Sequence, residues 1–182
     1  MDKKKMFLGI ALFWLLIILS FIFVKEYTLS TGKEIIFKTR YYDPRDLFRG
    51  DYVVLNYEVS SIDLNKVYVE TKEFSAGETV YVTLDPKNST AEPLAVSKKR
   101  MPKDYGPCIK GKITSVMSQG VFAPVILVEY GIENYFVPEG EGSSIRSGQG
   151  RGLEARVSLD SFCNAVIKDL LMDGVVVQFN AG

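Results

Sequence analysis

A cluster of charged side chains lies within nine residues, at the start of the stretch DPRDLFRGDYVVLNY (43–57). Paired carboxylates can perform general acid–base hydrolysis when both face one bond and their pKa values are pushed apart. Here two guanidinium groups lie close enough in sequence to neutralise the acids. We therefore expect a structural salt-bridged network rather than a catalytic pair. Its members are Asp43, Arg45, Asp46, Arg49 and Asp51.

Other catalytic arrangements have little support. The chain has no histidine, which excludes Ser–His and Cys–His nucleophile pairs and the usual zinc sites, so we expect no metal and no cofactor. A Ser–Lys dyad, as in membrane-anchored all-β signal peptidases, remains possible in principle. Leu47 and Gly50-Asp51 match the spacing of those enzymes, but Tyr42 occupies the nucleophile position and lacks an attacking hydroxymethyl group.

The tripeptide Arg49-Gly50-Asp51 matches an adhesion ligand, which has to lie at an exposed loop tip. Here it leads directly into a predicted strand. We expect Gly50 to supply a positive φ or a bulge at the start of that strand, and Asp51 to cap free backbone N–H groups.

An apolar segment precedes these residues. Residues 6–24 (MFLGIALFWLLIILSFIFV) carry no charge and are long enough to cross a bilayer as a helix. Lys3, Lys4 and Lys5 precede it, so the positive-inside bias predicts a cytoplasmic tail (1–5), a transmembrane helix (6–24) and an extracytoplasmic domain (25–182). No small-residue cleavage site follows the segment, which favours an uncleaved anchor over a signal peptide.

The predicted domain is close to neutral, with 19 basic and 21 acidic residues from position 25 onward. It has no basic stripe, so we expect no nucleic-acid partner. Cys108 and Cys163 would face an oxidising compartment. A disulfide is therefore permitted, but two buried free thiols are equally compatible with the sequence.

The sequence predicts a mainly β domain, folded as an antiparallel sandwich or as a barrel-like structure. Val53, Leu55, Tyr57 and Val59 alternate with more polar positions and should share one buried face. An Asp-Gly pair at 173–174 predicts a tight hairpin. Predicted strands cover 34–42, 52–59, 66–70, 79–84, 92–99, 108–117, 124–130, 153–159, 164–171 and 175–178.

Two motifs resemble one family. Gly50-Asp51-Tyr52, Leu55 and Tyr57 resemble the signature of the GDYXXLXY family, with Asp43-Pro44-Arg45 and Leu47 as its lead-in. The stretch YGIENYFVPEGEG (130–142) is similar to the family's downstream block, which supplies Tyr135, Phe136, Pro138, Glu139 and Gly140. The resemblance implies a bacterial membrane-anchored protein without an assigned activity, associated with a multi-spanning membrane protein.

Together these features predict a single-pass protein of the bacterial cytoplasmic (inner) membrane. We expect a non-enzymatic accessory or scaffold that binds a membrane protein or a cell-wall component. The alternative is an extracytoplasmic hydrolase that uses carboxylates or a Ser–Lys pair. In the scaffold hypothesis the second motif packs beside the first, and Glu139 pairs with Arg45 or Arg49.

Overall fold

One long helix begins the chain. A computed structural model describes residues 3–40, 52–71, 73–117, 124–138 and 152–179, and α1 spans Lys3–Thr31. Its 29 residues correspond to about 44 Å. The helix is long and apolar enough to cross a membrane, and none of its most apolar stretch is buried. It continues seven residues beyond the predicted segment 6–24.

Two hydroxyl groups of the last helical turn bond back to the helix backbone. Ser30 and Thr31 each donate a hydrogen bond to the carbonyl of Tyr27, at 3.2 and 2.8 Å. Such local bonds satisfy a carbonyl near the helix end, where intrahelical partners run out. A single residue, Gly32, then separates α1 from the first strand.

The described residues form thirteen strands, which are rich in β-branched and aromatic residues. Two short 3-10 helices, Glu58–Ser60 and Lys103–Tyr105, connect some of them. The strands are β1 (Lys33–Arg40), β2 (Tyr52–Val54), β3 (Asn56–Tyr57), β4 (Ser61–Asp63), β5 (Tyr68–Val69), β6 (Thr79–Leu84), β7 (Pro93–Ser97), β8 (Cys108–Met117), β9 (Val125–Glu129), β10 (Asn134–Phe136), β11 (Leu153–Leu159), β12 (Ala165–Met172) and β13 (Val175–Val176).

These strands form a five-stranded sheet in the order β13-β12-β11-β1-β3, a six-stranded sheet in the order β4-β9-β8-β6-β7-β5, and the pair β10-β2. Side chains from all three contribute to one continuous apolar core. The prediction of a mainly β, antiparallel domain is confirmed. One pair among the described strands departs from it, because β5 runs parallel to β7.

Several strand predictions match the structure and others need correction. Residues 79–84, 108–117 and 153–159 are strands with the predicted bounds. The predicted strands 66–70 and 175–178 are only two residues long, Tyr68–Val69 and Val175–Val176. The hairpin at 173–174 is confirmed, since Asp173 and Gly174 both have positive φ, as a two-residue turn of type I′ requires.

The predicted strand 52–59 is interrupted at Leu55 and ends at Tyr57, where the 3-10 helix Glu58–Ser60 begins. β2 pairs with β10, whereas β3 pairs with β1, so the chain changes partner between them. The predicted alternation is nevertheless correct, because Val53, Leu55, Tyr57 and Val59 are all buried. The buried face depends on local spacing, while the interruption depends on which strands lie on either side.

A disulfide joins Cys108 to Cys163, with a Cα–Cα distance of 4.9 Å. Cys108 starts β8 in the six-stranded sheet, and Cys163 lies in the turn between β11 and β12 of the five-stranded sheet. The adjacent backbone is also linked, since the Lys110 N–H donates to the Cys163 carbonyl at 2.9 Å. Of the two states that the sequence permits, the structure has the disulfide.

Candidate functional site

Part of the predicted site lies outside the described residues. This applies to Asp43, Pro44, Arg45, Asp46, Arg49, Gly50, Asp51, Glu139 and Gly140. The salt-bridged network, the conformation of Gly50, the capping role of Asp51 and the pairing of Glu139 with an arginine therefore stay predictions.

The two family-like motifs lie side by side. β2, from the first motif, pairs antiparallel with β10, from the second. Val54 is opposite Asn134, Val53 is opposite Tyr135, and the backbone of Tyr52 is opposite Phe136. The prediction that the second motif packs beside the first is confirmed.

Two buried tyrosines link the motif segments in both directions. The Tyr57 hydroxyl donates to the Ile132 carbonyl, and the Tyr130 hydroxyl donates to the Val59 carbonyl, each at 2.7 Å. Both rings also pack edge-on against Phe37, with centroid distances of 5.4 and 6.5 Å. These hydroxyls satisfy carbonyls that would otherwise be buried without a partner.

Glu133 connects the same segments through its backbone and its side chain. Its carbonyl accepts a hydrogen bond from the Leu55 N–H at 2.6 Å, and its carboxylate accepts one from the Tyr130 N–H. Burial, assisted by the Glu133 charge, raises the pKa of both Tyr57 and Tyr130. Both phenols are therefore neutral hydrogen-bond donors at physiological pH, and they act as structural groups.

The second motif also presents an outward surface. Phe136 is 77% exposed and Pro138 is exposed. Tyr135 is half-buried and packs against Phe179, with ring centroids 6.3 Å apart. Desolvation, together with the charge of Asp169, raises the pKa of Tyr135. Among the described residues, the outward face of the motif pair thus carries the exposed ring of Phe136, whereas Tyr135 and the opposite residue Val53 pack on the core side.

A charged network does occur, on the five-stranded sheet rather than in the described part of either motif. Arg156 forms a 3.0 Å ion pair with Asp169, and Lys168 pairs with Glu34, which also lies 3.9 Å from Arg156. Each acid has a basic partner, as in a structural network. Among the residues described, no group of three or more His, Cys, Asp or Glu side chains could hold a metal ion.

Asp160 is a site residue that sequence reasoning missed. It is only 8% exposed and lies at the start of the turn between β11 and β12. Its Oδ1 accepts hydrogen bonds from the backbone N–H groups of Phe162 and Asn164, and its Oδ2 accepts one from the Asn164 side chain, at 2.8–2.9 Å. An aspartate directly after a strand is a known turn signal, and that signal could have identified it.

The third partner residue of Asp160 comes from the helix. The Thr28 hydroxyl lies 3.0 Å from both Asp160 Oδ2 and the Val24 carbonyl. It has one proton, so it donates to one acceptor at a time, and the ionised carboxylate is the stronger acceptor. Thr28 is fully buried, and its own carbonyl accepts from the Ser158 hydroxyl at 2.6 Å. This cluster joins the end of α1 to the β-domain.

Replacing Asp160 with asparagine should lower the free energy of unfolding by about 1–2 kcal/mol at neutral pH, because hydrogen bonds to a neutral acceptor contribute less than those to a carboxylate. Burial opposes ionisation of Asp160, but the hydrogen bonds from Asn164, Phe162 and Thr28 outweigh it and lower its pKa. The carboxylate therefore stabilises the fold above the ordinary Asp pKa of about 3.9, and this contribution disappears as the pH falls through the lowered value.

Denaturant unfolding of the full chain in detergent, followed across acidic and neutral pH, tests this prediction. The difference in unfolding free energy between the wild type and Asp160→Asn should become smaller as the pH falls. The exposed residue Asp104 provides a matched control, since Asp104→Asn should leave stability nearly unchanged. An equal, pH-independent loss for both variants would contradict the role of the Asp160 carboxylate.

Comparison with known proteins identifies the family. The family model described as "GDYXXLXY protein" matches residues 14–170, well over half of the chain. A search of curated proteins found no match. A search of solved structures found none either. The matched range includes both motifs, whose strands pair in the structure. The chain therefore belongs to the GDYXXLXY family.

Proposed function

We propose that this protein is a single-pass membrane protein whose β-domain lies on the extracytoplasmic side of a bacterial inner membrane, where it serves as a non-enzymatic accessory or scaffold. The apolar helix α1 supports the anchor, and the lysines that precede residue 6 support the orientation. The disulfide between Cys108 and Cys163 agrees with an oxidising compartment.

One observation carries the accessory role: the motif pair β2–β10 divides its residues between the core and an outward face with an exposed aromatic side chain. Val53 of β2 is 7% exposed, whereas Phe136 of β10 is 77% exposed. The inner residues are accounted for by packing and hydrogen bonds. On the outward face, Phe136 supplies an exposed aromatic ring of the kind that is enriched at protein interfaces. The partner proposed for this surface is a multi-spanning membrane protein.

Site-specific photocrosslinking in native membranes tests this proposal. A photoreactive phenylalanine analogue at Phe136 should crosslink to an integral membrane protein, identified by mass spectrometry. Tyr68 is a matched control, because it is also aromatic and 62% exposed but lies on the six-stranded sheet. Failure to crosslink at 136, or the same products at 136 and 68, would contradict a specific interface at the motif pair.

A further inference from the structure

The turn at residues 160–164 lies beside the last turn of α1. β11 runs antiparallel to β1, with Leu159 opposite Lys33. Because β1 leads away from the helix, the chain that leaves β11 runs back towards the helix. The hydrogen bond between Thr28 and Asp160 is consistent with this direction. The tip of the turn is therefore on the helix side of the β-domain.

No flexible linker separates the helix from the β-domain that carries this turn. Gly32 is the only residue between α1 and β1. A Cβ atom placed on Gly32 would be 2.2 Å from Ser158 Oγ and 2.5 Å from the Thr28 carbonyl oxygen. Such contacts leave room for glycine alone. The position of the turn relative to the helix is thus set by close packing as well as by hydrogen bonds.

The helix geometry places this turn at a defined depth. Thr28 lies four residues after Val24, where the uncharged segment ends, which corresponds to about 6 Å along the axis. The polar headgroup region extends roughly 5–7 Å beyond the hydrocarbon core on each side. When α1 spans a bilayer, the level of Thr28 and of the adjacent turn is therefore the headgroup level.

A basic and an aromatic side chain meet at this turn. Phe162 is 65% exposed, and the Arg100 guanidinium lies 6.0 Å from its ring centroid. Arg100 also donates to the Ser161 carbonyl at 2.7 Å. Lys99 and Lys103 are exposed nearby in sequence, with Asp104 as the adjacent acid. We define the basic–aromatic surface as Lys99, Arg100, Lys103 and Phe162.

We propose that the basic–aromatic surface binds anionic phospholipid headgroups of the leaflet from which α1 emerges. Aromatic rings and long basic side chains are favoured at the bilayer interface, where an apolar body meets a polar region. Basic side chains near the membrane are attracted to anionic lipids. The inference rests on the proposed membrane anchor, and it adds that the β-domain itself contacts the lipid surface.

Tryptophan quenching in proteoliposomes of the full chain tests the inference. The sequence contains one tryptophan, Trp14, within the apolar segment, so the wild type reports on helix insertion. The variant Trp14→Phe/Phe162→Trp moves the probe to the turn. We expect a headgroup spin label to quench this probe several-fold more strongly than a probe at a distant aromatic position. Replacing part of the phosphatidylcholine with phosphatidylglycerol should increase that quenching.

Phe136 provides the distant position. β10, which contains Phe136, pairs with β2, and the adjoining β3 pairs with Thr39 and Arg40 at the far end of β1. That end of β1 is about 20 Å from Lys33. The matched control is therefore Trp14→Phe/Phe136→Trp. A further variant, Lys99→Gln/Arg100→Gln/Lys103→Gln in the Phe162→Trp background, should lose the effect of phosphatidylglycerol.

The outcomes separate this inference from the anchor itself. If lipids brominated deep in the acyl chains quench Trp14 but the probe at 162 is quenched no more than the probe at 136, lipid contact by the turn is overturned while the anchor stands. If Trp14 is not quenched, the anchor fails and the inference fails with it. If phosphatidylglycerol has no effect at 162, the preference for anionic lipid is overturned.

Discussion

Replacing Tyr57 with alanine is expected to lower the free energy of unfolding by about 3–5 kcal/mol, the usual loss for removing a large aromatic side chain from a core. Tyr57 is 1% exposed and packs edge-on against Phe37. Its hydroxyl also donates to the Ile132 carbonyl. The substitution removes the ring contacts, creates a cavity and leaves that carbonyl without its donor.

Tyr57→Phe is the matched control, because it keeps the ring and removes only the hydroxyl. Its expected loss is about 1–2 kcal/mol, from the carbonyl left unsatisfied. Denaturant unfolding of the full chain in detergent, monitored by circular dichroism of the strands, measures both. If Tyr57→Ala and Tyr57→Phe have the same stability, ring packing is not the main contribution and the structural interpretation of this signature tyrosine is wrong.

Removing the disulfide is the second change that we expect to lower the free energy of unfolding substantially. The double variant Cys108→Ser/Cys163→Ser is expected to lose about 2–4 kcal/mol, because the bond constrains the unfolded chain and closes a long loop. The two cysteines are 55 residues apart and connect β8 of the six-stranded sheet to the turn between β11 and β12 of the five-stranded sheet. Without the bond, the unfolded state regains the conformational freedom of that loop.

Reductant provides the internal control for this prediction. Unfolding of the reduced wild type should resemble that of the double variant, while the variant itself should not respond to reductant. The measurement is again denaturant unfolding of the full chain, with non-reducing electrophoresis to confirm the redox state. A double variant as stable as the oxidised wild type would show that the bond contributes nothing to stability.

The stability tests also separate folding from partner binding. Tyr57 is a core residue of the first motif, and Phe136 lies on the outward face of the motif pair. If the proposed function is correct, changes at Tyr57 act through the fold, whereas a change at Phe136 reduces partner crosslinking in a protein that still folds. On this proposal the two family motifs contain residues with two different physical roles.

Local patterns in the sequence determined many of the secondary-structure elements. Alternation at Val53, Leu55 and Tyr57 predicted the buried face, because neighbouring residues of an extended chain point to opposite sides whatever their partner. The apolar segment predicted the helix, since backbone groups in such a run are satisfied within the helix itself. The Asp-Gly pair predicted the last hairpin, because these residues tolerate the positive φ that a tight turn needs.

Tertiary structure alone decided which distant residues meet. The interruption at Leu55 follows from the different partners of β2 and β3. The disulfide required Cys108 and Cys163 to come together from separate sheets. Asp160 became a junction residue because Thr28, 132 positions away, packs against it. The sequence by itself thus determined local periodicity, apolarity and turn chemistry. Pairings between distant segments emerged only from packing of the whole chain, because they depend on how all the strands share one core.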